Sequence, residues 1–249
     1  VARYRFTARM RQGVRLPDYA GSLLRGQFGA ALRNVACMTR QPICPGCPLQ
    51  TSCPYTRVFE SLPPPEHSLQ AFSAIPNAYV VEPPLPPAGL LHGRPEPGQI
   101  HPADLAAGDS LVFHMVLVGS AIDQLALVVF AWQRALAQGL TRSRSPADLL
   151  QVDWVDENGI AHVIWSQQRP VLAAHPASIS VPALAEGASS LLLHIHTPLR
   201  LQHQGHPLWP TQLTPRALVA NVARRVALVL EFHAQHSDWG QQVPIVVAQ

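Results

Sequence analysis

Four cysteines, Cys37, Cys44, Cys47 and Cys53, crowd into one Pro-rich stretch of the 249-residue chain, ACMTRQPICPGCPLQTSCPY (36–55), and none occurs elsewhere. Their spacing, Cys-x6-Cys-x2-Cys-x5-Cys, carries one C-x2-C knuckle. Four thiolates so placed can close a tetrahedral zinc site or hold an iron–sulfur cluster, with buried free thiols as the alternative. A closed all-thiolate zinc has no open position, so it would be a structural clip and not a reactive centre.

The arginines are the second set with chemistry in them. No lysine is present and all eighteen basic side chains are arginine, which excludes a P-loop lysine and Schiff-base chemistry. Residues 1–60 hold nine (Arg3, Arg5, Arg9, Arg11, Arg15, Arg25, Arg33, Arg40, Arg57) against Asp18 and Glu60, a net +7. The other nine face thirteen carboxylates, a net −4. A basic first quarter on a mildly acidic body implies a polyanionic partner. The twelve histidines offer a rival chemistry. His194 and His196 fall on one face of an expected strand, and His203 and His206 follow in a loop. A zinc hydrolase could be drawn from them, but without a nearby carboxylate ligand the signal is weak.

The elements that would position these groups follow from periodicity. In RYRFTARMR, apolar Tyr4, Phe6, Ala8 and Met10 alternate with Arg3, Arg5, Thr7, Arg9 and Arg11, a strand with an arginine ladder on one face. Like charges so stacked repel, which points to an anionic partner or to solvation. A helix is expected over 16–37, with Ala20, Leu24, Phe28, Ala31, Leu32 and Val35 on its core stripe. Ser22, Arg25, Gly26, Gly29 and Arg33 gather on another arc. Two mid-helix glycines there suit the close approach of a phosphate backbone or of a neighbouring element. Strands are read at 77–84, 110–119 and 149–155, with a helix at 121–139 that is apolar nearly all round and so expected to be buried. The order is β-α-β-β-α-β, a ferredoxin-like unit. A second β-α start follows: a strand over 188–202 and a helix over 214–233, with Thr214 as N-cap and Leu218, Val222, Val226 and Val229 as core stripe. A last strand is read in QVPIVVAQ. The apolar fraction of 47% indicates a folded chain, and 25 prolines promise long irregular connections. No secretory signal is visible, and LALVVFAW (125–132) is too short to span a bilayer, so a cytoplasmic protein with no membrane partner is expected.

Three segments resemble the CRISPR-associated pre-crRNA processing endoribonuclease family of the RAMP superfamily. They are LPDYAGSLLRGQFGAALRNVACMTRQPICPGCPLQTSCPYTRVFES, GDSLVFHMVLVGSAIDQLALVVFAWQRALAQGLTRSR, and IHTPLRLQHQG followed by LVANVARRVALVLEFH. The resemblance implies an α+β protein of tandem ferredoxin-like (RRM-like) folds. Residues 1–158 form the first, with Cys-rich and Pro-rich insertions, and 159–249 an abbreviated second. It also implies cleavage of a CRISPR repeat stem-loop, retention of the mature crRNA, and other effector subunits as partners. The family's glycine-rich run is here GLTRSRS, with Ser and Thr replacing glycines, and its final glycine-rich segment has no counterpart. The reduced plan and the arginine wealth resemble the processing subunit of type IV systems.

Metal-independent RNA cleavage must deprotonate a 2′-OH, stabilise a dianionic phosphorane and protonate the leaving 5′-oxygen, giving a 2′,3′-cyclic phosphate and a 5′-OH. No cofactor is needed for this; zinc on the cysteines would be structural. Family members often use a histidine near the first helix, and this helix has none. Arg25 and Arg40 are therefore assigned to the transition state, with Tyr19 or His67 transferring protons, or water doing so slowly, since arginine clamps phosphate well and is a poor base. Arg3, Arg5, Arg9, Arg11, Arg33, Arg142, Arg144, Arg216, Arg224 and Arg225 are assigned to the RNA, and Trp132, Trp154, Trp165 and Trp209 are candidates for base stacking. A non-catalytic crRNA-binding scaffold, with the same fold and basic face, is the rival reading.

Overall fold

The computed structural model describes residues 1–62, 75–84, 104–176, 190, 192–195, 199–203 and 206–233. In chain order these form β1 (Ala2–Met10), β2 (Val14–Arg15), α1 (Gly21–Ala36), α2 (Pro54–Val58), β3 (Tyr79–Glu82), β4 (Asp104–Leu105) and β5 (Ser110–Leu117). A 3₁₀ turn (Gly119–Gln124) then enters α3 (Leu125–Gln138). After it come β6 (Ala147–Val155), β7 (Ala161–Ser166), β8 (Gln202–His203), β9 (His206–Pro207) and α4 (Pro215–His233).

The protein is α+β. Its main sheet has the order β3-β5-β1-β6-β7, with every neighbouring pair antiparallel. The period-two pattern of β1 is realised: Ala2, Tyr4, Phe6, Ala8 and Met10 are all buried. Phe6 stands opposite Phe113 of β5, and the two rings stack at 5.2 Å with planes 5° apart. Two helices close this face. Trp132 of α3 lies 4.4 Å from Phe113, and Phe28 of α1 stacks on Trp132 at 5.1 Å. The Trp132 Nε1–H is satisfied by Met115 Sδ at 3.4 Å, so this tryptophan is core and not a base-stacking surface. Burial of these rings, at about 25 cal/mol per Å² of apolar area, is what holds α1 and α3 on the sheet.

The expected core stripe of α1 is buried at Ala20, Leu24, Phe28, Ala31 and Leu32, and Val35 is partly covered. Unlike the expectation, α3 is not buried all round. Phe130 is 42% exposed, and the Arg134 guanidinium covers its ring at 5.1 Å. β7 has no counterpart among the expected strands. Its hairpin with β6 turns at Asp156, whose Oδ1 accepts the N–H groups of Asn158 and Ile160, each at 2.9 Å. Ile164 and Trp165 of β7 are buried and Ala173 N–H donates to Ile164 O; residue 158 falls inside this hairpin.

The second half departs further from expectation. Of the strand expected over 188–202 only its last residue, Gln202 in β8, is in a strand among the described residues, and Leu192 and Leu193 are exposed where a core-facing strand would bury them. α4 does form with Thr214 as its N-cap, whose Oγ1 accepts the Ala217 N–H at 3.1 Å. Its stripe is not core, since Val222 and Val226 are exposed. The helix is anchored at its end, where the His233 ring bonds Pro76 O at 2.6 Å and the His233 carbonyl lies against Gly119. The strand read at 242–249 lies outside the described residues. Among those described, no helix is long and apolar enough to cross a membrane.

Candidate nucleic-acid interface

The arginine ladder of β1 meets carboxylates from its neighbours. Arg3 donates from Nε and Nη2 to Glu82 of β3 at 2.9 and 2.7 Å. Arg5 Nε donates to Asp153 of β6 at 2.9 Å, and Arg11 Nε to Asp148 of β6 at 2.7 Å. Arg15 of β2 lies 3.7 Å from Asp104 of β4. The like-charge repulsion, which pointed to an anionic partner or to solvation, is thus relieved by carboxylates inside the fold. Asp153 is fully buried and also accepts from Gln151 Nε2 at 2.6 Å. His114, on the same face, is held below the usual imidazole range by burial, with the Arg3 charge adding to the effect. The Asp148 carboxyl is lowered by its Arg11 hydrogen bond. Arg9 is exposed and stands opposite Asp148, a carboxylate that Arg11 already engages.

At this end of the sheet the α3–β6 loop folds on the β1–β2 turn. Thr141 Oγ1, Ser143 Oγ and Ser145 Oγ form a hydroxyl chain with spacings of 2.8 and 3.0 Å, and Ser145 donates to Gly13 O at 2.9 Å. Thr141 and Arg144 adopt left-handed backbone, φ +62° and +50°. That conformation is strained for side chains of this size, and the hydroxyl chain holds it in place of glycines. Arg142 and Arg144 are exposed and make no ion pair among the described residues. Arg11 N–H donates to Pro146 O at 2.9 Å, which sets these two arginines beside the end of β1 that carries Arg9.

The second arc of α1 is occupied by protein. Tyr79, Phe59 and Tyr55 form a column of stacked rings, with centroid separations of 5.4 Å at each step. Gly29 seats it: a Cβ there would lie 2.2 Å from the Phe59 ring. Arg25 covers Phe59 at 5.3 Å and donates from Nε to Tyr79 OH at 2.9 Å. With the Asn77 amide oriented to satisfy both its partners, its oxygen accepts from Arg25 Nη2 at 3.3 Å. Arg33 lies 6.0 Å over Tyr55 and donates to Gln41 O and Pro42 O at 2.7 and 2.6 Å. Arg40 is exposed with φ +57°, and Tyr19 is also exposed. His67 lies outside the described residues. Eleven helical residues separate Arg25 from the end of α1 at Ala36, about 16 Å.

The four cysteines are partly buried and unbridged, and all line one pocket of about 130 Å³ beneath the end of α1. Thr39 Oγ1 stands 3.9 Å from Cys37 Sγ and 3.4 Å from Cys47 Sγ. Burial opposes ionisation of Cys37. The Arg40 backbone N–H, the Thr39 hydroxyl and the Arg33 charge outweigh it, and the thiol pKa is lowered. Burial and Glu60 raise Cys44. As placed, no three His, Cys, Asp or Glu side chains among the described residues converge closely enough to share a metal, His194 and His206 included. His196 lies outside the described residues.

Of the remaining candidates, Trp165 is buried and Trp154 partly so, whereas Trp209 is exposed. Arg216 and Arg224 are exposed on α4, and partial desolvation lowers Arg225 from its ordinary value. No curated protein matches the chain. Residues 1–177 match the model of the family AF_1859_N, described as an N-terminal domain. That stretch runs from β1 through the segment that packs on β7, and the chain belongs to this family.

Proposed function

We propose that the protein grips a CRISPR repeat stem-loop with the basic end of its sheet and cleaves the pre-crRNA without a metal. The products would carry a 2′,3′-cyclic phosphate and a 5′-OH, and the protein would stay on the mature crRNA among other effector subunits. The observation that carries the reading is the gathering of exposed Arg9, Arg142 and Arg144 at the hydroxyl-laced loop, while Arg3, Arg5 and Arg11 are neutralised by Glu82, Asp153 and Asp148. A-form RNA is recognised largely by shape and by its phosphates, which suits guanidinium groups held on a rigid sheet end. The sheet order β3-β5-β1-β6 with α1 and α3 on one face agrees with a ferredoxin-like unit. In this reading the β8–β9 hairpin and α4 belong to the abbreviated second unit. Arg40, exposed and held in left-handed backbone, and Arg25 stabilise the phosphorane, with Tyr19 or His67 moving protons.

One observation favours the scaffold alternative. Arg25 and Arg33 are committed to the aromatic column, and an arginine spent on packing is less available to a scissile phosphate. A repeat-RNA binding and cleavage assay in EDTA separates the two readings. Cyclic-phosphate products that vanish in Arg25→Ala and Arg40→Ala identify the nuclease and its residues. Tight binding with intact RNA identifies the scaffold, and cleavage by those variants at the unmodified rate removes both arginines from the chemistry.

A further inference from the structure

We infer that Cys37, Cys44, Cys47 and Cys53 bind a single zinc(II) ion, which pins the irregular segment after α1 against that helix. The segment between Ala36 and Pro54 contains no helix or strand, and its large apolar side chains Met38 and Ile43 are 83% and 64% exposed. It has no core of its own, and irregular loops of this length in a compact fold are held by some other means. Its cysteines supply that means. All four line the same pocket of about 130 Å³, and none is spent in a disulfide.

The local backbone is already shaped for chelation. Cys44-Pro45-Gly46-Cys47 turns tightly, with Cys47 N–H donating to Cys44 O at 3.0 Å and Gly46 at φ +79°. Two sulfurs therefore rise from one knuckle. Cys37, at the end of α1, is brought to it through the Thr39 hydroxyl, which stands between Cys37 Sγ and Cys47 Sγ. Cys53 arrives from the N-terminus of α2 by way of the turn closed by its N–H on Leu49 O at 2.8 Å. The sulfurs surround the pocket without yet converging, and the ion would displace Thr39 Oγ1 and draw them in. Binding forms four Zn–S bonds and releases the thiol protons to solvent, with no redox partner. A tetrathiolate zinc carries a net charge of about −2. Arg33, anchored on Gln41 O and Pro42 O, supplies compensating positive charge beside Cys37.

The test uses the full chain, purified under reducing, oxygen-free conditions, with readouts that do not involve RNA. Elemental analysis should give about one zinc per chain. Cobalt(II) in its place should show the strong d–d and sulfur-to-metal bands of a tetrahedral tetrathiolate. Zinc should suppress alkylation of all four thiols at least tenfold, and a chelator should restore it. Cys47→Ser should lose the ion; if that variant does not fold, the cobalt spectrum and the thiol protection of the unmodified chain still decide. A chain of native circular dichroism whose four thiols react equally fast with and without zinc overturns the inference. So does bound iron with inorganic sulfide and the brown absorption of a cluster.

Discussion

Gly26 and Gly29 sit three residues apart on α1 and answer to different neighbours. Gly29 is pressed under the Phe59 ring, so a methyl group there must displace the aromatic column. Gly29→Ala should destabilise the protein by about 1–3 kcal/mol, read as a lower urea midpoint at unchanged slope. A Cβ on Gly26 meets nothing within 4 Å. Gly26→Ala should therefore stabilise the helix by up to about 1 kcal/mol. If RNA passes over this face, the same substitution should weaken RNA binding while raising stability. A gain in stability with unchanged binding would place the RNA elsewhere. Arg5 and Asp153 form the other residue-scale pair with a clear asymmetry. The carboxylate is fully buried whereas the guanidinium is 38% exposed. Arg5→Ala strands a buried charge and should cost toward the low end of about 3–5 kcal/mol, the partner's exposure softening the loss.

At the scale of elements, the attachment of α4 turns on Gly119. Its φ is +57°, and an added Cβ would lie 1.7 Å from the His233 carbonyl, so backbone and space both demand glycine. Gly119→Ala should free the end of α4, seen as faster amide exchange in 226–233 with β1 and β5 still protected. The same end is sensitive to pH. Burial holds both His233 and His114 below the usual imidazole range. As pH falls below about 6.5 the unfolded chain takes up protons first, and stability is lost until the folded-state values are reached. The urea midpoint should therefore drop between about pH 7.5 and about pH 5.5, and His114→Gln should flatten part of that slope. Elements with strong periodicity are legible in the chain: β1 from its alternation, α1 from Leu24, Phe28, Ala31 and Leu32, α4 from Thr214. β7 escapes a reading by periodicity, although Asp156 and the Asn158-Gly159 pair carry a hairpin signal. In the segment expected as a strand over 188–202, the described Leu192 and Leu193 are exposed, which β propensity by itself does not reveal, because it measures the fit to neighbouring strands and to a buried face.

For the whole molecule, the net charge of the first sixty residues is not the charge that a ligand meets. The arginines of β1 are legible as a ladder, but their partners Glu82, Asp148 and Asp153 lie 79, 137 and 148 positions away in the chain, and only the folded sheet brings them opposite. The arc of α1 likewise leaves a phosphate and a neighbouring element as alternatives, because nothing local reveals that Phe59 returns to Gly29. Beside the paired arginines of the sheet, Arg9, Arg142 and Arg144 leave a short-range positive field at one end of it. Binding of a polyanion by those groups releases counterions, so affinity falls with salt in proportion to the phosphates engaged. Arg142→Ala and Arg144→Ala together should weaken repeat-RNA binding and reduce the slope of log K against log salt by about 0.7–0.9 for each phosphate no longer neutralised. Arg3→Ala, which removes a cation already paired with Glu82, should leave that slope nearly unchanged and lower thermal stability instead. Equal loss of slope from Arg3 and from the loop arginines would mean that RNA breaks the Arg3–Glu82 bridge and spreads over the sheet face. The binding surface would then be the sheet itself and not its end.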